Sequence, residues 1–234
     1  MRALIGFLLR NYTRSHRYFP PFAACLFAVM MNYSVKPNPV METYGNTGIF
    51  IYVTAAWVAY QMFVGENQVQ EQLSILHLGS FVRYQWGKIA ACLLIMTGLS
   101  LFTVLYPIVF DKFNEPVGLP RFFYAGLIHI ELACLGIVIA YLWSSALRVK
   151  TSMAIAGVLL LIALSPAQGT VAEALPAMLE PLLWLLPPAH ASLSLFMKDA
   201  ALSVHVKTGY VLWPLIYSGA AFSLMIALAR RRQA

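Results

Sequence analysis

The chain has 234 residues, 60% of them hydrophobic and only 11% charged, with a formal net charge of +7 and a mean hydropathy of +0.72. A soluble domain carries about twice that share of charge, so water is excluded as the main solvent and the chain reads as an all-α integral membrane protein. The net charge does not mark a nucleic-acid partner, because the basic residues gather at the ends of apolar runs, where membrane lipids meet them.

At this length the membrane domain is expected to make up the whole chain. Residues 1–19 predict a helix lying in the interface plane, and not a secretory signal: Arg10, Arg14 and Arg17 interrupt the apolar core that a signal needs. Those cations share one side of the helix, while Leu4, Ile5, Leu8 and Tyr12 share the other, which directs the charges toward anionic headgroups. Pro20 and Pro21 then turn the chain into the membrane.

Six spans are predicted, at about residues 20–35, 47–64, 89–110, 122–143, 151–165 and 209–229. The loop KPNPVMETYGN separates the first two, and DKFNEPVGLPR the third and fourth. A helix needs about 20 residues to cross unaided, so the run 151–165 is expected to tilt into a thinned region or to continue past Pro166. Residues 166–208 set Pro166, Pro176, Pro181, Pro187 and Pro188 among apolar residues. That mixture predicts short re-entrant helices in the outer leaflet, with protein covering their backbone.

With both termini inside, eleven Lys and Arg side chains fall on the inner side (Arg2, Arg10, Arg14, Arg17, Arg83, Lys88, Arg148, Lys150, Arg230, Arg231, Arg232). Five fall outside (Lys36, Lys112, Arg121, Lys198, Lys207). The bias places both ends in the cytoplasm.

Between the second and third spans lies GENQVQEQLSILHLGSFVRYQWGK (65–88), too polar for a bilayer and too patterned for a linker. Val69, Leu73 and Leu76 recur at i, i+4, i+7, one helical face, while Glu66 and Glu71 fall mostly elsewhere. Tyr84 and Trp86 suit a membrane–water boundary, and Arg83 and Lys88 its cytoplasmic side. The stretch predicts a short amphipathic helix held under the membrane; an ordinary interhelical loop is the alternative.

Enzymatic signatures are missing. No Walker-type glycine loop, HExxH or GxSxG is present. His16, His77, His129, His190 and His205 share no metal-ligand spacing, and Cys25, Cys92 and Cys134 sit singly in apolar runs. One ionisable constellation falls inside a span: His129 and Glu131 in LIHIELACL. Such a carboxylate costs about 2.5–3.5 kcal/mol on insertion scales and must face a partner, a bundle interior or water. Two residues apart, the two side chains point about 200° away from each other. Glu131 therefore either bonds a tyrosine, a histidine or a backbone group on a neighbouring helix, or faces a substrate path or helix seam. Tyr52, Trp57 and Tyr60 on the second span offer packing and anchoring, or a lining for that path.

In the order of its segments the chain resembles the permeases of type-2, export-type ATP-binding-cassette transporters. EQLSILHLGSFVRYQWGKI (71–89) is similar to that family's acidic–leucine–small–basic–GK coupling segment, and LPPAHASLSLF (186–196) to its proline-containing return before the last span. The resemblance covers the whole architecture: interfacial helix, six spans, coupling helix between spans two and three, and re-entrant helices before span six. It implies a chain without enzymatic activity of its own, a separate ATPase holding ATP and magnesium, and a second permease chain, identical or a sister. It implies that residues around 66–83 (Glu66, Val69, Glu71, Leu73, Leu76, Arg83) seat in the ATPase. The expected place is a bacterial cell membrane, and the substrate an apolar or amphipathic peptide, drug or lipid-like molecule. A stand-alone immunity or scaffold protein is the alternative. An intramembrane enzyme would need a second catalytic group near His129 and Glu131, and a secondary transporter would show internal repeats; neither feature is found.

Overall fold

Pro39 and Gly118 each adopt an extended conformation immediately before a long apolar helix, and Pro39, with no N–H to give, cannot extend a preceding one. The resulting elements are described here from a computed structural model over residues 1–147, 149–197 and 204–231. Arg148, Lys198 and Arg232, which enter the basic count, and residues 198–203 of the expected re-entrant segment lie outside those residues. The helices are α1 (Arg2–Arg14), α2 (Phe19–Asn32), α3 (Val40–Val64), α4 (Gln68–Leu78), α5 (Phe81–Val109) and α6 (Leu119–Tyr141). A π-type turn (Leu142–Ala146) follows, then α7 (Thr151–Leu164), α8 (Gln168–Ala174), a 3-10 segment (Ala177–Leu185), α9 (Ala189–Met197) and α10 (Val204–Arg231). Among the described residues no β-strand forms.

Among the described residues four helical stretches are long and apolar enough to cross a membrane: Val40–Val64, Phe81–Val109, Leu119–Ala146 and Lys207–Arg231. A fifth crossing arises if α7 and α8 act together, although they meet at 80°. At 14 residues, α2 is a shorter apolar helix. The chain is a multi-pass, all-α membrane protein.

Several boundaries depart from the sequence expectations. The second span begins at Val40, seven residues early in a stretch expected to be loop, because Pro39 starts the helix and Glu42 complements its N-terminal dipole. Helix α1 ends at Arg14, and Pro20 and Pro21 open α2, where their missing N–H groups cost nothing. Past Pro166 the fifth run does not continue straight but bends into α8.

At the centre lie α3 and α6. A Cβ added at Gly136 would sit 2.4 Å from the Tyr52 carbonyl oxygen and 3.0 Å from Ala55 Cβ, so only glycine permits this backbone approach. Helix α1 is pinned to the bundle: Leu4, Leu8 and Tyr12 are buried at i, i+4, i+8, with Leu4 seated over Gly87 of α5. The Tyr12 hydroxyl and the Gln61 amide hydrogen-bond at 3.1 Å, and Arg17 donates to the Gly65 carbonyl at 2.8 Å. At the opposite end of α3 and α5, Asn38 clasps the two loops together. Its N–H and side-chain amide both donate to the Lys112 carbonyl (3.3 and 2.9 Å), and its own carbonyl accepts the Asn114 N–H at 3.0 Å. Lys36 and Asp111 pair across the same loops at 3.2 Å.

Candidate functional site

Caps isolate α4 as a discrete element. Asn67 Oδ1 accepts the Val69 N–H at 3.0 Å at its start, and Gly79 ends it in the left-handed region at φ 65°. One residue later, Ser80 Oγ accepts the Arg83 N–H at 3.3 Å and opens α5. The stretch 65–88 is therefore not one amphipathic segment: a Gly79–Ser80 elbow divides it, and residues 81–88 form the first two turns of a spanning helix.

Glu66 and Glu71 turn inward from α4 and its approach and meet the start of α5. Lys88, only 1% exposed, brings its Nζ to 3.0 Å from Glu66 Oε2 and 3.8 Å from Glu71 Oε1. Tyr84 donates its hydroxyl to the same Glu66 oxygen, and the Lys88 ammonium lies 4.9 Å from the Tyr84 ring centre. Gln85 donates to Glu71 Oε1 at 3.5 Å. Because Tyr84 and Lys88 are one turn apart and Gln85 lies beside them, a single face of α5 supplies every partner. Within the chain both carboxylates meet Lys88; the Glu66 side chain is 3% exposed and that of Glu71 is 23% exposed. Lys88 is no interface cation.

The stripe Val69, Leu73 and Leu76 faces outward, at 62%, 52% and 76% exposure. Ile75 and Leu78, on the other side of the same helix, pack against the bundle. Helix α4 thus has two apolar stripes, one used within the chain and one left open. Arg83 is exposed at the top of α5.

Deeper in the bundle, His129 and Glu131 are both fully buried and go separate ways. The His129 ring donates Nδ1–H to the Ala125 carbonyl at 2.7 Å, and its Nε2 accepts from the Thr47 hydroxyl of α3 at 3.0 Å. The edges of Tyr44 and Phe196 pack around the ring. Glu131 Oε1 accepts from Ser192 Oγ of α9 at 2.5 Å, while Oε2 is buried without a partner among the described residues. The partner is a serine, a residue type outside the expected tyrosine, histidine or backbone group. Tyr52 is buried under α6, Trp57 is 42% exposed on the outer surface, and Tyr60 is half-buried near α4. Five residues separate the first two, a turn of about 140°, so the three rings do not share one lining.

Sequence reasoning gave Tyr84 and Lys88 a place at the membrane boundary and missed their contacts with Glu66, and it missed Gln85 and Ser192 altogether. A helical wheel started at Phe81 would have placed Tyr84, Gln85 and Lys88 together; reading 65–88 as one segment hid that. Nothing local marks Ser192 as the partner of a residue 61 positions away. Among the described residues no group of three His, Cys, Asp or Glu side chains is disposed to hold a metal ion. No family model matches the sequence, and no curated protein or solved structure is significantly similar to it.

Proposed function

We propose that the chain is the membrane-spanning permease subunit of an ATP-binding-cassette exporter, coupled through α4 to a separate ATPase. One observation carries the reading: a short capped helix presents an open apolar stripe, Val69, Leu73 and Leu76, while a buried ion pair anchors its approach. Open apolar stripes of this kind are where other proteins dock, and a helix held firmly transmits a rigid-body displacement. ATP and magnesium would be bound by the ATPase, with this chain contributing no step of hydrolysis. A second permease chain completes the path for an apolar or amphipathic substrate. In this reading α2 and the bent α7–α8 pair raise the crossings to six, in a bacterial cell membrane. The eleven-to-five basic bias then sets both termini in the cytoplasm.

The test uses tagged chain purified from its native membranes. Wild type is expected to retain an ATPase whose hydrolysis is measurable, and Leu73→Asp or Leu76→Asp to lose it. Both side chains are exposed, so thermal stability should change by less than about 0.5 kcal/mol. ATPase retained unchanged by both variants, or never retained by wild type, overturns the reading in favour of a stand-alone membrane protein.

A further inference from the structure

Between α3, α4, the start of α5 and the turn leading into α7 lies a half-open cavity of about 700 Å³. Its walls combine the carboxylates of Glu66 and Glu71 with the rings of Tyr60, Phe63, Phe81 and Trp143. No lysine or arginine among the described residues lines it. Lys88 sits behind the wall and is shared by both carboxylates, while Arg17 is engaged with the Gly65 carbonyl and pairs with neither. Among the described residues, two acidic side chains at the cavity thus share one ammonium, which leaves one negative charge uncompensated.

A second observation is independent of charge. The side chains of Glu66 and Gln85 are about 97% buried at this wall (3% exposed each). Among the described residues, Oε1 of Glu66 and Oε1 of Gln85 accept no hydrogen bond. Buried acceptors are ordinarily satisfied, so the described residues of this wall fall short of N–H donors as well as of positive charge. Aromatic rings around such a wall favour a cation with an apolar body.

We propose that this cavity binds a protonated primary or secondary amine carrying an apolar or aromatic body, its ammonium N–H groups donating to Glu71 and to the open acceptors of Glu66 and Gln85. The site lies wholly within this chain and stands whether or not an ATPase docks on α4.

The test uses the full chain in lipid nanodiscs and three probes sharing one indole body. Tryptamine carries a protonated amine, its N,N,N-trimethyl analogue keeps the charge without ammonium N–H donors, and indole-3-acetate reverses the charge. Titration calorimetry should show tryptamine binding at least about tenfold more tightly than indole-3-acetate, with the trimethyl analogue between them. Glu71→Gln should weaken tryptamine by about tenfold. Ser145→Phe, which fills the cavity and leaves the Lys88 network intact, should abolish binding even if Glu71→Gln fails to fold. Equal binding of tryptamine and indole-3-acetate overturns the proposal. So does full tryptamine binding in folded Ser145→Phe, or no tryptamine binding by folded wild type.

Discussion

Lys88 is the residue on which the α4 end of the molecule depends. Two carboxylates face a single ammonium that is almost wholly removed from water. Taking one partner from a buried ion pair costs about 3–5 kcal/mol, because the charges left behind are desolvated and unopposed. Lys88→Met should therefore lower stability by about that much, read as thermal unfolding in detergent. Adding Glu66→Gln should recover a large part of the loss, since the pair as a whole contributes far less than its halves suggest. Equal destabilisation by the single and double variants would show that Lys88 acts by packing alone. Glu131 presents a different case. Among the described residues it has one serine donor and one buried oxygen without a partner, which leaves part of its desolvation uncompensated.

Elements in this chain are delimited by single residues, and Gly79 shows how. Its φ of 65° lies where a Cβ is disfavoured by about 1–2 kcal/mol, and no atom within 4 Å would obstruct a side chain. Gly79→Ala should therefore destabilise by about 1 kcal/mol through backbone strain alone, whereas Gly79→Asn, tolerant of this region, should lose less. Thermal unfolding of both variants measures the difference, and an alanine variant as stable as wild type would mean that the elbow is not held in this conformation. The same residue explains the limits of sequence reading here. The i, i+4, i+7 stripe of α4 was legible, because periodicity survives without knowledge of neighbours. The direction in which the stripe points was not legible: Ile75 and Leu78 form a competing stripe, and only tertiary contact decides which one the bundle takes.

At the scale of the whole molecule, composition alone dictates a multi-pass helical membrane protein, since backbone polar groups in lipid must be satisfied within helices. The number of crossings is less legible, because α2 and α7 are each 14 residues long and length is the signal on which a crossing is judged. Reporter fusions resolve it: a fusion after Ala234 is expected on the cytoplasmic side and one at Asn114 on the external side. An external signal at Ala234 would remove one crossing and the permease reading with it. The clasp at Asn38 bears on how such a molecule could move. Helices α3 and α5 are joined through α4 at one end and by backbone hydrogen bonds at the other, so together they make a closed frame. Sliding one helix along the other would break the Asn38 bonds, whereas tilting the frame as one piece about the clasp would keep them and strain instead the contacts of α3 with α1 and α6. A 29-residue α5 is about 43 Å long. A rigid swing of about 5° about the clasp would therefore carry α4 through roughly 4 Å, with Asn38 as the fulcrum.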